Sequence, residues 1–139
     1  MSEKVRKAMI FATEKHDGQL DRAGKPYIEH PKAVAKMLKG EDEKIVALLH
    51  DTVEDTDATI EEIRSKFGEK IACAVECLTR EKETPYMEYI RGVKGNELAR
   101  RVKLADLTHN MDLRRLPEVT DKDLKRVERY KEAYDFLTH

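Results

Sequence analysis

The sequence predicts an all-α fold in a single compact domain. Apolar residues recur at three- and four-residue steps along most of the chain, and no segment alternates apolar and polar residues as a half-buried strand would. Residue types that begin or end helices lie between these periodic segments. With 139 residues, the chain is long enough to bury one sizeable core without disulfides.

A long loop separates the first two predicted helices. The first helix is indicated by apolar residues at helical spacing, namely Val5, Met9 and Ala12, and it ends near residues 16–18. Residues 18–31 contain glycines and prolines and have no period, which predicts a loop. Pro31 suits the first turn of the second helix, and Gly40 is expected to end it. The third helix is predicted from Ile45 to about Glu54.

The remaining helices are predicted mainly from their ends. Thr59 and Glu62 form a capping box that opens the fourth helix, and a Phe-Gly pair closes it. Three further helices are predicted over about residues 70–78, 85–90 and 97–113. Asp121, or Thr120 before it, caps the last helix, which ends near Leu137.

Composition excludes several classes of function. Charged residues make up 40% of the chain, the net charge is −1, and lysines and arginines are spread throughout, so no nucleic-acid partner is expected. No apolar run approaches the roughly 20 residues of a membrane span, and no signal peptide opens the chain. Cys73 and Cys77 are predicted to be reduced packing residues, which suits a cytoplasmic location. The oligomeric state is not readable from the sequence.

Four side chains are candidate metal ligands. His50 and Asp51 follow the apolar run at residues 45–49, where an imidazole and a carboxylate are costly to desolvate without a compensating cation or proton. The loop supplies His30, and the long helix supplies Asp106. Two imidazoles and two carboxylates leave open positions on a six-coordinate ion such as Mn²⁺ or Fe²⁺. Water and a substrate phosphate oxygen would occupy those positions.

Two acids and an amide lie in helical phase with these ligands. Glu54 is one turn beyond His50 on a continuous helix, and Asp55 stands in the same relation to Asp51. They are placed to hold or deprotonate an attacking water. Asn110 shares a helix face with Asp106.

Each candidate also has a purely structural interpretation. The His50-Asp51 pair could be a satisfied hydrogen bond, His30 could cap a helix, and Asp106 could pair with Lys103 or Arg100. The occurrence of all four in one pattern favours a shared site. Other residues are interpreted as structural, namely His16 at a helix end, His109 beside the site, and Tyr86, Tyr89 and Tyr130 as packing or surface aromatics.

The ligand order resembles that of the HD-domain metal-dependent phosphohydrolases. The longer strings HDGQLDRAGKPYIEHP, ALLHDTVEDT, TIEEIRSKFGEKIA and VKLADLTHNM resemble the hydrolase domain of RelA/SpoT-type proteins and their small stand-alone relatives. That branch removes pyrophosphate from the 3′ position of guanosine tetra- and pentaphosphate, usually with Mn²⁺. The resemblance therefore implies one HD domain over residues 1–139, without a synthetase domain, acting on a small nucleotide.

The resemblance also implies residue roles. It places the metal ligands on His30, His50, Asp51 and Asp106, and the catalytic acids on Glu54 and Asp55. Substrate-contacting positions fall on Asn110, Lys103 and Arg22, and Lys25 and Tyr27 in the loop are added as candidate contacts. One divalent metal is expected.

Two departures from the resemblance concern the substrate. The alarmone hydrolases usually carry a basic residue where this chain has Asp21, and an Arg where it has Leu107. At an effective dielectric of 20, one unit charge about 6 Å away is worth roughly 3 kcal/mol before screening. Two alternatives to alarmone hydrolysis therefore stay open. One is hydrolysis of a different nucleotide or phosphate ester, and the other is metal-dependent nucleotide binding without turnover.

Overall fold

The predicted all-α fold is confirmed by a computed structural model that describes residues 2–139. Within this range there is no strand, only an isolated bridge between Leu20 and Pro26. The helices, in chain order, are α1 (Glu3–Lys15), α2 (Glu29–Lys36), α3 (Glu41–Leu49), α4 (Thr52–Asp55), α5 (Ile60–Phe67), α6 (Glu69–Cys77), α7 (Tyr86–Lys94), α8 (Glu97–Asn110), a 3₁₀ helix η1 (Leu113–Arg115) and α9 (Asp121–Thr138).

The third helix lies at the centre of the packing. It contacts α1, α2, α6 and α8. Every residue from Ile45 to Leu49 is buried, so this segment has no polar face in its second half. Burying one large aliphatic side chain contributes about 1.5–3 kcal/mol. The burial of α3 therefore fixes the position of the residues that directly follow it, His50 and Asp51.

The second helix differs from its predicted bounds. It begins at Glu29, so His30 lies inside its first turn rather than in the preceding loop. Pro31 is accommodated there because the first-turn N–H groups of a helix have no intrahelical acceptor. Gly40 does not end this helix; it is the N-cap of α3 with φ of −75°.

The predicted continuous helix from Ile45 to Glu54 is wrong. It starts earlier, at Glu41, and ends at Leu49, and the separate short helix α4 follows. Two side chains take up main-chain carbonyls that a continuing helix would use. The Thr52 hydroxyl donates to the Leu49 carbonyl at 2.7 Å, and Nδ1 of His50 lies against the Ala47 carbonyl. Such bonds compete with the regular helical pattern.

Most of the predicted caps are confirmed. The Thr59 hydroxyl accepts from the Glu62 N–H, which is one of the two bonds of the predicted capping box, while the Glu62 carboxylate lies near Lys15 instead. Gly68 after α5 has φ of +96°, a conformation that favours glycine. Thr120, rather than Asp121, caps α9, in a capping box with Asp123. Two other bounds shift: α7 continues to Lys94 instead of residue 90, and α8 ends at Asn110 instead of about residue 113.

The structure describes two features that composition also addressed, the cysteines and the apolar content of the helices. Cys73 and Cys77 are free thiols. Among residues 2–139, no helix combines the length and apolar content needed to cross a membrane.

Truncation of a core leucine in α3 tests the importance of this packing. Leu49 is fully buried, so we expect Leu49→Ala to lower the free energy of unfolding by about 2–5 kcal/mol. Guanidinium unfolding followed by circular dichroism measures the change. Leu124→Ala is the matched control because that side chain is 51% exposed, and equal losses in the two variants would contradict the described core.

Candidate active site

Three buried side chains from three helices meet at one point. His30 comes from the first turn of α2, His50 follows the last residue of α3, and Asp106 lies in the middle of α8. Their exposed fractions are only 5%, 2% and 3%. Oδ1 of Asp106 lies 2.7 Å from Nε2 of His30 and 3.2 Å from Nε2 of His50. One possible ligand atom from each residue lies within 4.8 Å of the other two.

Asp51, the fourth predicted ligand, lies beside this group. Its Oδ2 is 3.1 Å from Nε2 of His50 and accepts a hydrogen bond from the Tyr27 hydroxyl. Burial, and then the charge of Asp51, raise the pKa of Tyr27, so the hydroxyl keeps its proton and remains a donor. Tyr27, predicted as a substrate contact, is therefore also the residue that orients the Asp51 carboxylate.

In both His30 and His50, the Nδ1 atom lies within hydrogen-bond distance of a neighbouring group. Nδ1 of His30 lies 2.7 Å from Nδ1 of His109, and the two rings are stacked with centroids 4.9 Å apart. Burial and the adjacent His30 lower the pKa of His109 to about 4, so His109 is neutral and its Nδ1 can accept a hydrogen bond from the Nδ1–H group of His30. Nδ1 of His50 faces the Ala47 carbonyl. Both Nε2 atoms are thereby directed at Asp106, as is typical of metal-binding imidazoles.

The electrostatics of this cluster fit a divalent cation. Burial disfavours the charged form of His50, but the carboxylates of Asp51 and Asp106 outweigh it and raise the His50 pKa well above its usual value. A divalent cation would neutralise the same carboxylates without requiring a proton on the imidazole. Two imidazoles with carboxylate oxygens suit a first-row divalent metal such as Mn²⁺ or Fe²⁺.

Lys103 lies against the group of His30, His50 and Asp106 and does not line the cavity described below. Its ammonium lies 2.9 Å from Oδ2 of Asp106 and 5.3 Å from the centre of the Tyr89 ring. Burial alone would raise the pKa of Asp106, but Lys103 and His50 hold it well below its usual value. Lys103 therefore keeps Asp106 ionised, which is the pairing that the sequence left open as an alternative to a phosphate contact.

The predicted acid pair lies on α4. The main-chain N–H of Arg80 donates to Oε1 of Glu54 at 2.7 Å, which fixes that carboxylate. Asp55 is exposed to solvent on one side. Partial burial of its carboxyl group, together with the charges of Asp51 and Glu54, raises its pKa to about 6. A carboxylate with that pKa can accept a proton near neutral pH. Asp55 keeps the predicted one-turn relation to Asp51, because its N–H donates to the Asp51 carbonyl at 3.0 Å, whereas His50 lies at the break between α3 and α4, outside the helix that carries Glu54.

A cavity of about 360 Å³ opens beside His30. One wall is the loop before α2, a second is formed by residues 110–116, and the third is one face of α9. Asn110 joins the cavity to the cluster, because it lines the wall while its amide donates to Oδ1 of Asp106 at 3.2 Å. Of the candidate substrate contacts, Arg22 and Tyr27 also line the cavity, whereas Lys25 and Lys103 do not.

The sequence analysis missed the α9 wall. Four cavity residues lie at steps of three and four along this helix: Asp123, Arg126, Val127 and Tyr130. That spacing places them on one face, and it was the available signal. Tyr130 was interpreted as a packing or surface aromatic, yet it lines the cavity. Arg115 of η1 was missed because no periodic pattern precedes it.

Two of the cavity arginines share one buried carboxylate. Asp123 is 1% exposed, and its Oδ1 pairs with Arg22 and, at 3.4 Å, with Arg126. Its Oδ2 accepts from the N–H of Thr120 at 2.9 Å, which completes the cap of α9. A single residue therefore holds the loop and the last helix together at the cavity wall.

Asp21 also lines the cavity, but its carboxylate already has partners. Oδ1 accepts from the N–H groups of Ala23 at 2.8 Å and Lys25 at 2.9 Å, which closes the turn of the loop. Oδ2 lies 4.0 Å from the Arg115 guanidinium. Leu107, the other departure, is fully buried in the core and does not line the cavity. Any effect of these departures on the substrate therefore rests on Asp21.

The role of Asp123 can be tested by unfolding. We expect Asp123→Ala to lower the free energy of unfolding by about 1–3 kcal/mol, because it removes the cap and the shared partner of two arginines. Urea unfolding measures the loss. Lys122→Ala, an exposed neighbour, serves as control, and a matching change in both variants would contradict the anchoring role.

Comparison with known proteins places these features in a family. A sequence profile of the HD domain matches residues 8–121. The zebrafish (Danio rerio) protein named guanosine-3′,5′-bis(diphosphate) 3′-pyrophosphohydrolase MESH1 is 44% identical over 119 residues, which cover 76% of this chain and 66% of that protein. The Aquifex aeolicus guanosine-3′,5′-bis(diphosphate) 3′-pyrophosphohydrolase is 49% identical over 83 residues, or 57% of this chain. That match spans only 12% of the Aquifex protein.

A solved structure shares the whole fold. It was described under the words "A metazoan ortholog of SpoT hydrolyzes ppGpp and plays a role in starvation responses". Its TM-score is 0.80 at 27% identity, and the alignment covers 99% of this chain and 86% of the other.

Proposed function

The chain belongs to the HD-domain family, and we propose that it is a metal-dependent hydrolase that removes pyrophosphate from the 3′ position of guanosine tetra- or pentaphosphate. The observation that carries this proposal is the buried His30–His50–Asp106 cluster opening onto an arginine-lined cavity. The names of the MESH1 and Aquifex relatives support the choice of reaction. The free cysteines support a reducing, cytoplasmic location.

Four residues would hold the metal in this proposal, namely His30, His50, Asp51 and Asp106. Mn²⁺ is the proposed ion, and Fe²⁺ suits the same donor set. When bound, such an ion lowers the pKa of a coordinated water and neutralises charge that develops on a phosphate. Tyr27 and Lys103 fix the two carboxylates in the orientation that the ion needs, because each donates to one of them.

The acid pair would act on the attacking water. Asp55 accepts its proton, since its raised pKa of about 6 makes it a better base near neutral pH than an ordinary aspartate. Glu54 orients the same water from a carboxylate held by the Arg80 N–H. Positioned proton transfer of this kind contributes about 10²–10⁴-fold to a rate.

The cavity would hold the rest of the nucleotide. Asn110 lies next to the metal cluster, Tyr27 and Tyr130 offer aromatic surfaces to a base, and Arg22 and Arg126 present partly exposed guanidinium groups to phosphate. Lys25 can reach a phosphate only by extending from the exposed tip of the loop.

A second candidate function is the same chemistry on a different nucleotide or phosphate ester. The observation that favours it is the charge balance of the cavity, where three aspartates (Asp21, Asp112 and Asp123) offset three arginines (Arg22, Arg115 and Arg126). A polyphosphate is attracted less strongly to such a wall than to a purely basic one. Nucleotide binding without turnover is disfavoured because both acids are held beside the cluster.

A substrate panel distinguishes these functions. Purified protein with Mn²⁺ is incubated with guanosine tetraphosphate, GTP, ATP and simple phosphate esters. We expect pyrophosphate release from guanosine tetraphosphate. Turnover of other phosphates only would support the second candidate, and tight binding without any turnover would contradict both hydrolytic proposals.

Removal of Asp106 should abolish both metal retention and turnover. Asp106→Ala deletes the carboxylate that both Nε2 atoms face, so metal content measured by elemental analysis and pyrophosphate release should both fall to background. Thr108→Ala, on the exposed side of α8, is the control. Normal metal content in Asp106→Ala would break the proposed ligand set.

Removal of the base should separate chemistry from metal binding. We expect Asp55→Asn to lower kcat by about 10²–10⁴-fold, because the amide cannot accept a proton, while metal content stays unchanged. Steady-state kinetics and elemental analysis measure the two quantities. A kcat within threefold of the unmodified protein would assign the base elsewhere; Asp57→Asn, at the exposed surface, is the control.

Neutralising Asp21 tests the substrate preference. Asp21→Asn keeps an oxygen for the two loop N–H groups and removes one negative charge from the cavity wall. We expect kcat/KM for guanosine tetraphosphate to rise by about 2- to 30-fold, as screening allows. Asp17→Asn, outside the cavity, is the matched variant, and an unchanged kcat/KM would remove Asp21 from substrate selection.

A further inference from the structure

His16 is buried at the end of α1, directly behind the proposed active site. Only 2% of it is exposed, and its ring packs against Tyr27 with centroids 4.9 Å apart. The sequence suggested a structural role for His16 at a helix end, where a cation that offsets the helix dipole would lie at the surface. A buried imidazole instead requires hydrogen-bond partners for its nitrogens.

The hydrogen bonds of Gln19 fix the tautomer of His16. Nε2 of Gln19 donates to the main-chain carbonyl of Asp55 at 3.0 Å, so the amide nitrogen is used there. Oε1 of Gln19 therefore faces Nδ1 of His16, at 2.8 Å. Because an amide oxygen can only accept, Nδ1 of His16 carries the proton.

The main chain holds Gln19 in the same place. Its N–H donates to the His16 carbonyl at 3.0 Å, and its carbonyl accepts from the Tyr27 N–H at 2.8 Å. Gln19 is thus fixed between His16 and Tyr27 by its backbone, and its side chain reaches across to Asp55.

The Asp55 carbonyl, which accepts the bond from Gln19, belongs to a short helix that needs contacts from outside to be stable. Helix α4 has four residues, so its carbonyls depend on partners outside a regular helix. So short a helix has no stability of its own. The Gln19 amide supplies a partner at Asp55, the residue proposed as the base.

We propose that His16 is a positioning residue for the hydrolytic site, acting through Gln19 on Asp55 and through its ring contact on Tyr27. The inference rests on the proposed function of Asp55. Tyr27 in turn donates to Asp51, so one buried histidine supports both a base and a metal-ligand candidate. His16 itself touches neither substrate nor metal in this arrangement.

In the described part of the chain, the Nε2 atom of His16 makes no hydrogen bond, so the contact of this ring with Gln19 depends on Nδ1. Within residues 2–139, Nε2 is buried and has no hydrogen-bond partner. With the proton on Nδ1, this atom is an unused acceptor, and its replacement by a ring carbon removes no bond. His16→Phe therefore keeps the ring against Tyr27 and deletes mainly the donor to Gln19. His16→Asn keeps a nitrogen donor at the same number of bonds from the main chain.

Kinetics of these variants test the inference. We expect His16→Phe to lower kcat by about 10- to 100-fold, with KM and metal content changed by less than about twofold. His16→Asn should recover kcat to within about fivefold of the unmodified protein. Gln19→Leu should cause the same loss as His16→Phe, and the double variant should lose little more, because both substitutions break one chain of bonds. Thr13→Ala, on the exposed face of α1, is the control.

A spectroscopic measurement tests the same contacts without activity. In nuclear magnetic resonance spectra, the Gln19 side-chain amide protons and the Asp55 backbone signal should shift or broaden in His16→Phe and return toward their original positions in His16→Asn. This readout stays informative if guanosine tetraphosphate is not the substrate, so failure of the proposed function is distinguishable from failure of the inference.

Two results would overturn the positioning role. One is an unchanged kcat with unchanged Gln19 and Asp55 signals in His16→Phe. The other is an equal loss of kcat, metal content and stability in both His16 variants, which would make His16 a packing residue. Should His16→Phe fail to fold, Gln19→Leu decides the question by the same measurements.

Discussion

The whole site depends on one buried carboxylate, that of Asp106. Its Oδ1 faces His30, His50 and Asn110, and its Oδ2 pairs with Lys103. An uncompensated charge at such depth costs several kcal/mol, so removal of any partner strains the cluster. The helices that supply these partners must therefore meet at this point. The apolar packing of α3 against α1, α2 and α8 stabilises that meeting, and the same burial makes a cation there favourable.

Because the helix breaks after Leu49, different contacts position the candidate metal ligands and the acid pair of Glu54 and Asp55. A continuous helix would fix Glu54 and Asp55 rigidly to His50 and Asp51. The break instead separates α4 from α3 and leaves Asp51 as the N-cap of α4, so contacts from other parts of the chain help to set the position of this short helix. The Arg80 N–H holds Glu54, and Gln19 holds the Asp55 carbonyl. His30, His50 and Asp106 are thus placed by core packing, whereas hydrogen bonds from two loops add to the Asp51–Asp55 main-chain bond in placing the acid pair.

The meeting of His30, His50 and Asp106 could be predicted from the sequence because polar residues that are costly to bury interrupt apolar helical segments. His50 and Asp106 are conspicuous for that reason. Helical spacing allowed Asp106 to pair with Lys103 or with Arg100, and in the structure the partner is Lys103. The helix break was not predictable from periodicity, since it arises from side-chain bonds of Thr52 and His50 to main-chain carbonyls. The cavity was harder still to predict, because a loop, η1 and α9 form its walls and no spacing rule connects them.

The arginines of the cavity are held in place before any ligand arrives. Asp123 is buried and its second oxygen caps α9, so it can release neither Arg22 nor Arg126 without loss of stability. The two side chains remain 51% and 41% exposed, which leaves N–H groups free to face an anion. Such preorganisation reduces the entropy lost on binding. Asp21 has the opposite effect, since the loop N–H groups fix its negative charge on the same wall. The cavity therefore presents a few fixed charges of both signs and no excess of positive charge.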